Sequence, residues 1–279
     1  QALPTVAPHD CVGSNLSAHV LLGKVKRVVP RANEAVNETW LADRDRFSYE
    51  GIYADRIEQP MIRDGGALRP ASWEEALEAA AAGVSRSVGK GNGGGLGAWA
   101  GPTSTVEEGF LLQRLLRHLG SDNLDHRLRR RDFRLQERDP VFPWVGSSLA
   151  ELEQADAIVI VGSNLRREAP LIAHRVRKAA LRGASVVFVN PGRYEYLHPV
   201  AGYLETGLDL VGGLRRLLTD SPDAEASAIL GRLRGAARPV ILLGQIAGRH
   251  PRLADVRQAA GELSRQSAAR IGYLSEGAN

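Results

Sequence analysis

The sequence predicts an α/β protein: a small β-rich domain over residues 1–65, then over 66–279 a mostly parallel, doubly wound sheet with helices on both faces. Three observations predict it. The stretches 157–162, 185–190 and 239–244 are apolar runs of strand length, nearly continuous in Val, Ile and Leu, as expected of strands covered on both faces. Between and around them, apolar residues recur at helical spacing. The first sixty residues show neither pattern and are broken repeatedly by Gly, Pro and Asn.

Taken in order, residues 17–22 and 24–29 are two short apolar-rich runs separated by Gly23, which fits a hairpin closed by Pro30. Residues 33–55 are polar and aromatic, with Trp40, Phe47, Tyr49 and Tyr53 as candidate plugs under a small sheet. Residues 56–70 read as an irregular connector. Ser72 followed by Glu75 forms a capping box, and Leu77, Ala80, Ala81 and Val84 keep helical spacing, so a helix is expected over 73–87. The glycine-rich stretch 89–97 ends it. It precedes a strand and lacks the Lys-Ser/Thr of a phosphate loop, which makes it a connector. Beyond it the expected order is strand 96–100, helix 106–119, helix 148–154, strand 157–162, helix 167–182 and strand 185–190. Helices 208–219 and 223–234, strand 239–244, helix 251–266 and strand 270–274 complete it. Alternation of this kind implies a parallel sheet.

With 279 residues, 43% of them hydrophobic and 24% charged, the chain has the composition of a globular protein with a sizeable core, and disorder is excluded. The single cysteine, Cys11, excludes an intramolecular disulfide framework and any site built from several thiolates. The net charge of +4 suggests an anionic partner only weakly. Lysines occur at 24, 26, 90 and 178 alone, and the other 32 basic residues are arginine in an Ala- and Gly-rich chain, a pattern of coding bias more than of phosphate binding. No apolar run approaches the roughly 20 residues of a membrane helix. Gln1 is not an initiator, the first ten residues lack a signal-peptide pattern, and the chain stops just after a strand-like run, so a piece of a larger polypeptide is expected.

Ligands of doubly wound sheets bind beyond the carboxyl ends of strands. Three such ends are Gly162-Ser163-Asn164, Asn190-Pro191-Gly192-Arg193 and Gly244-Gln245-Ile246-Ala247-Gly248. Small and amide residues there allow a phosphate or pterin to approach closely, and they equally make ordinary tight turns. The basic segment 127–134 is interleaved with Asp125, Asp132, Glu137 and Asp139, which favours a solvated or subunit-facing loop over a nucleic-acid surface. The seven histidines show no metal-ligand spacing, and there is no Gly-x-Ser-x-Gly elbow. No catalytic constellation assembles from the residues.

A resemblance adds to this reading. Asp10-Cys11-Val12-Gly13-Ser14-Asn15-Leu16, then Arg27-Val28-Val29-Pro30-Arg31, and above all the run Val36-Asn37-Glu38-Thr39-Trp40-Leu41-Ala42-Asp43-Arg44-Asp45-Arg46-Phe47 resemble the G-subunit family of bacterial respiratory complex I. That subunit is the counterpart of the large peripheral-arm subunit of the mitochondrial enzyme. Ser72-Trp73-Glu74-Glu75-Ala76-Leu77, Gly162-Ser163-Asn164, Glu168-Ala169-Pro170 and Arg175-Val176-Arg177-Lys178-Ala179 extend the similarity over essentially the whole chain. The resemblance implies a truncated molybdopterin oxidoreductase-like fold, whose relatives include formate dehydrogenase, with the first domain a remnant of an iron–sulfur domain.

It also implies two losses. Relatives hold a four-iron cluster through four cysteines, and those ligand positions fall here on Ala7, Asp10, Ser14 and Ala42, none of which supplies a thiolate. In the dehydrogenases a segment like Ser121-Asp122-Asn123-Leu124-Asp125-His126 leads to the cysteine or selenocysteine that binds molybdenum; here that position is Arg131, and a guanidinium is no soft anionic ligand. The expectation is therefore a cofactor-free scaffold, with vestigial pterin-facing loops at Gly162, Ser163, Asn164, Asn190 and Pro191 and the iron–sulfur clusters upstream in the parent subunit. The implied partners are other peripheral-arm subunits of complex I, on the cytoplasmic side of the bacterial inner membrane, with neither nucleic acid nor membrane insertion. Two readings stand beside it: a pterin- or nucleotide-binding oxidoreductase domain using the strand-end loops, and a nucleic-acid binder working through 127–134.

Overall fold

The computed structural model describes residues 1–89, 94–101, 103–126, 131–140, 143–218 and 223–277. The chain divides into two compact units, Gln1–Arg46 with Arg129–Ala278, and Phe47–Leu128.

At the N-terminus, β1 (Ala2–Val6), β2 (Asn15–Leu21) and β3 (Lys24–Pro30) form an antiparallel sheet in that order. The expected hairpin is β2–β3. Its two-residue turn has Leu22 and Gly23 both at positive φ, the primed geometry that matches the twist of paired strands. Strand β1 is an addition to the expected elements, because Pro4 and a short run hide it in the sequence; it pairs along β2 from Ala2 opposite His19 to Val6 opposite Asn15. The aromatic plugs are corrected. Trp40, Phe47 and Tyr53 are exposed and Tyr49 is half-buried. The small residues Ala7, Ser14 and Ala42 are buried with Leu16, Val28 and Asn37. The Asn37 side chain accepts from Asn15 N at 2.9 Å and donates to Trp40 O at 3.1 Å, knitting the loop after β3 to β2. A short helix, α1 (Asp43–Phe47), follows.

In the second unit, 56–70 is no irregular connector: β4 (Met61–Asp64) and β5 (Ala67–Pro70) form a hairpin across Gly65 and Gly66, both at positive φ. Helix α2 (Trp73–Gly89) begins where expected, with Ser72 Oγ accepting from Glu75 N at 3.1 Å. The Glu75 carboxylate, however, goes to Arg69 at 2.5 Å. Strand β6 (Ala98–Trp99) is shorter than the expected 96–100 and pairs in parallel with β7 (Leu124–Asp125). Between them α3 (Val106–His118) carries a full capping box from Thr105 and Glu108. Of the connector 89–97, residues 90–93 lie outside the described residues, as do 127–130 of the basic segment.

The large sheet belongs to the first unit. Helix α4 (Leu149–Glu153) leads to β8 (Ala157–Val161), and α5 (Leu165–Glu168) and α6 (Pro170–Leu181) lead to β9 (Ser185–Asn190) and β10 (Gly202–Glu205). Then come α7 (Leu210–Arg216), α8 (Ala224–Arg234), β11 (Pro239–Leu243), α9 (Gln245–Gly248), α10 (Leu253–Ser267) and β12 (Arg270–Tyr273). The five strands are all parallel in the order β10-β9-β8-β11-β12. One helix expected over 167–182 is two, because Pro170 lacks an N–H and restricts the residue before it; Ala169 leaves the helical region at φ −143°, ψ 79°, and Pro170 starts α6. Strand β10, unexpected because its four residues are half polar, forms one edge. At the other edge Tyr273 N donates to Trp144 O at 2.7 Å, which shields β12.

Alternate residues of each strand point to opposite faces. Val159, Val161, Val187, Val189 and Ile241 pack with α7, α8 and α10. Ile158, Ile160, Val186, Phe188 and Leu242 pack with Leu152 of α4 and Ile172, Val176 and Ala179 of α6. Both faces are buried, which is why these strands read as apolar runs. No helix among the described residues is long and apolar enough to cross a membrane.

Candidate functional site

The strand order reverses between β8 and β11, and beyond such a reversal the carboxyl ends of neighbouring strands part to leave a crevice for ligands. The three strand-end loops singled out in the sequence meet here. Gly162 ends β8 with φ +57°, and a Cβ on it would lie 2.6 Å from Ala247 N; Ala247 N donates instead to Gly162 O at 3.0 Å. A Cβ on Gly244, which ends β11, would overlap Ser163 Cβ and lie 2.6 Å from Gly162 O. The two turns therefore pack backbone against backbone, and only glycine fits.

Four donors at this point, the amides of Ser163, Asn164 and Gln245 and the Ser163 hydroxyl, are already engaged. Glu168 is buried, and its carboxylate accepts from Ser163 Oγ at 2.7 Å, Asn164 N at 2.9 Å and Gln245 N at 2.9 Å. Asn190, fully buried, accepts from Ser163 N at 2.8 Å and donates to Ser163 O at 2.9 Å. Tyr203 Oη, in reach of Asn190 Nδ2 at 3.3 Å, donates to Gly192 O at 2.5 Å. Burial pushes the Tyr203 phenol above its ordinary value, against the hydrogen bond from Asn190. Tyr196 stacks on Phe188 at 4.1 Å between centroids, and burial pushes its phenol up as well. Of the five residues expected to face a pterin, Ser163, Asn164 and Asn190 are joined by this network, Gly162 makes the turn, and Pro191 stands just past β9 with no part in it among the hydrogen bonds described. Glu168 and Tyr203 are its missed members. Their types are unremarkable in sequence, and only the fold brings them to the strand ends.

The four positions at which the resemblance places cluster ligands, Ala7, Asp10, Ser14 and Ala42, are all buried. Ala7 N donates to Ser14 O at 2.9 Å, and Asp45 N and Arg46 N to Ala42 O at 3.0 Å. Asp10 accepts from Val12 N at 2.9 Å and is paired with Arg44. His9 Nδ1 lies 2.6 Å from Asp45. Burial, and then the Asp10 charge, push the Cys11 thiol up to about 11, which keeps it protonated at neutral pH. A cubane needs four soft anionic donors, and two methyl groups, a hydroxyl and an arginine-paired carboxylate do not fit one. Arg131, half-buried, lies in the irregular stretch before a 3-10 turn at Gln136–Arg138 and does not fit molybdenum. Among the described residues no group of three or more His, Cys, Asp or Glu side chains is placed to hold a metal ion.

Residues 56–272 match the family model described as molybdopterin oxidoreductase. The chain belongs to that family. Residues 2–50 match a second model, described as NADH-ubiquinone oxidoreductase NDSU1/NuoG-like, 4Fe-4S domain. Curated relatives named as the G subunit of NADH-quinone oxidoreductase include those of Rickettsia bellii and Rickettsia conorii, each 36% identical over 186 residues, and that of Rickettsia prowazekii, 30% identical over 189. These alignments take in 65–67% of this chain and 26–27% of the relatives, so the chain spans about a quarter of their length. Among solved structures, acetylene hydratase from Pelobacter acetylenicus superposes with a TM-score of 0.58 at 15% identity, covering 95% of this chain and 40% of that one. A chain of the formyltransferase/hydrolase complex from Methylorubrum extorquens gives 0.52 at 21%, covering 77% and 59%. At these identities they share the fold. Fold class and family thus agree with the sequence reading.

Proposed function

We propose that this region is a cofactor-free scaffold within the G subunit of respiratory complex I, the NADH-quinone oxidoreductase. Electron transfer from NADH to quinone is then a property of the whole assembly, carried by iron–sulfur clusters upstream in the parent subunit. In this reading residues 1–65 are the remnant of an iron–sulfur domain and 66–279 an incomplete pterin-type domain. The neighbours are other peripheral-arm subunits, on the cytoplasmic face of the bacterial inner membrane.

One observation carries the proposal: the amides of Ser163, Asn164 and Gln245 and the Ser163 hydroxyl at the strand ends are spent on the chain's own Glu168 and Asn190. A pterin or nucleotide would have to displace a buried carboxylate and break bonds on three segments, and breaking buried hydrogen bonds without replacing them costs about 1–3 kcal/mol per group. The missing thiolates support the same conclusion for the cluster, and function resides in sites more than in folds.

Metal and pterin analysis of the purified chain tests it. The expected result is iron and molybdenum far below one per chain, no pterin fluorescence on denaturation, and no thermal shift with guanine nucleotides. Stoichiometric iron, released pterin, or a saturable nucleotide shift would overturn it; a ligand at 100 times its dissociation constant stabilises by about 2.7 kcal/mol.

A further inference from the structure

Arg44 holds together three segments that are far apart in sequence. Its guanidinium pairs with Asp10, whose other oxygen accepts from Val12 N at 2.9 Å, and also donates to Arg167 O at 2.8 Å and Glu168 O at 3.0 Å. Asp10 is 1% exposed. Asp10 is one of the four positions at which the resemblance places a cluster ligand, and Arg44 lies two residues past another, Ala42. The surroundings have not been rebuilt as apolar core. Ser14 Oγ, Asp45 Oδ2 and Arg44 Nε are buried with no hydrogen-bond partner among the described residues, although an unpaired buried polar group is costly.

A four-iron cluster is, mechanically, a cross-link: it ties separate points of the chain to one rigid body. With the thiolates absent, something else must hold the turn at 7–14 against α1. We propose that Asp10 and Arg44 form a charge staple that replaces the metal cross-link, fastening the turn 7–14 and α1 to the α5–α6 junction. A guanidinium suits the task because its planar fork satisfies several acceptors at once, whereas an ammonium acts as a point charge. By holding the Glu168 carbonyl, the staple also fixes the residue whose carboxylate closes the strand ends. The staple rests on the geometry of these residues and stands whether or not the chain serves the complex proposed above.

Amide hydrogen exchange on the 279-residue chain tests the staple. In Arg44→Met, exchange at Ala7 and Val12 and at Glu168 and Ala169 is expected to accelerate at least tenfold together, while Val159 and Val187 in the central strands stay within twofold of the parent. Adding Asp10→Ala to Arg44→Met should change the rates at Ala7, Glu168 and Ala169 by less than threefold, because there both substitutions remove one interaction; Val12 is left out of this comparison, since Asp10 also accepts its amide directly. Loosening of only one segment, or fully additive effects, would overturn the proposal. Should the variants fail to fold, the unaltered chain still decides it: a staple requires slow rotation and slow proton exchange of the Arg44 guanidinium by nitrogen-15 NMR, and a freely rotating group refutes it.

Discussion

Asn190 and Ser163 hold each other by both ends: the Ser163 amide donates to the Asn190 side-chain oxygen at 2.8 Å, and the Asn190 side-chain nitrogen donates to the Ser163 carbonyl at 2.9 Å. This mimics one rung of a β-ladder where β8 has already ended and β9 is at its last residue. Both residues are fully buried, so neither backbone group has water to fall back on. Asn190→Ala should therefore destabilise the chain by about 2–4 kcal/mol, measured by denaturant unfolding. Asn190→Asp should cost at least as much, since a carboxylate would face the Ser163 carbonyl without a donor. A loss below about 1 kcal/mol for both would show the pairing to be incidental.

The two turns separate glycine's steric role from its conformational one. Gly162→Ala meets Ala247 and must also hold φ +57°, so a cost of about 3 kcal/mol or more is expected. Gly207 has nearly the same φ, +55°, with nothing within 4 Å of where a Cβ would stand, and Gly207→Ala should cost only about 1–2 kcal/mol. Thermal unfolding of the pair checks the order, and equal losses would contradict the backbone contact between the turns.

Acid sensitivity is expected from the ion network on α6. Glu153 is buried and paired with Arg175 at 2.7 Å and Lys178 at 2.9 Å. Burial alone would raise its pKa, but the hydrogen bonds from Lys178 and Arg175 outweigh it and bring the carboxyl down to about 2. The Lys178 hydrogen bond likewise lowers Glu38. A depressed folded pKa means that the contribution is fully present above the ordinary value of about 4.5 and fades as pH falls toward 2. Glu153 then accounts for at most about 3 kcal/mol lost across that window. In Glu153→Gln the acid limb of a stability–pH profile should flatten between pH 4.5 and 2, with the chain less stable at pH 7; an unchanged limb would remove Glu153 from the account.

Phe188 is fully buried, 4.1 Å from the Tyr196 ring and 5.7 Å from the Tyr203 ring. Phe188→Ala should cost about 3–5 kcal/mol. Because Phe188 supports the ring whose hydroxyl reaches Asn190 and Gly192, tyrosine near-ultraviolet dichroism should fall in the still-folded variant at low temperature. Retention of the full tyrosine signal would show that the stack does not order these rings.

The central strands were legible in the sequence because burial on both faces leaves the middle of a strand apolar: β8, β11 and, between its polar ends Ser185 and Asn190, β9 stand out as apolar runs, and Pro170 and Ser148 mark helix starts by their own backbone chemistry. The short strands β1, β4, β5 and β10 were not legible. Strands β1, β4 and β5 are edge or hairpin strands with exposed faces and carry neither an apolar run nor strict alternation; β10 buries Tyr203 and Leu204 on opposite faces, but Gly202 and Glu205 flank them and leave no apolar run. The aromatic residues of 40–53 misled for the complementary reason: hydrophobic type permits burial but does not compel it, and the small residues Ala7, Ser14 and Ala42 occupy the interior instead.

By itself the sequence determined that Ala7, Asp10, Ser14 and Ala42, the four positions at which the resemblance places cluster ligands, carry no thiolate, since no fold can make one from these residues. It also located the three strand ends where a ligand would sit. Only the tertiary structure decided what became of those places. Glu168 reaches the amides of Asn164 and Gln245, one of them 77 residues away, and Arg44 reaches carbonyls 123 and 124 residues away. Partners at such separations leave no local pattern, because they are chosen by how strands and helices stack, and a buried charge finds its counter-charge only once the fold has removed both from water.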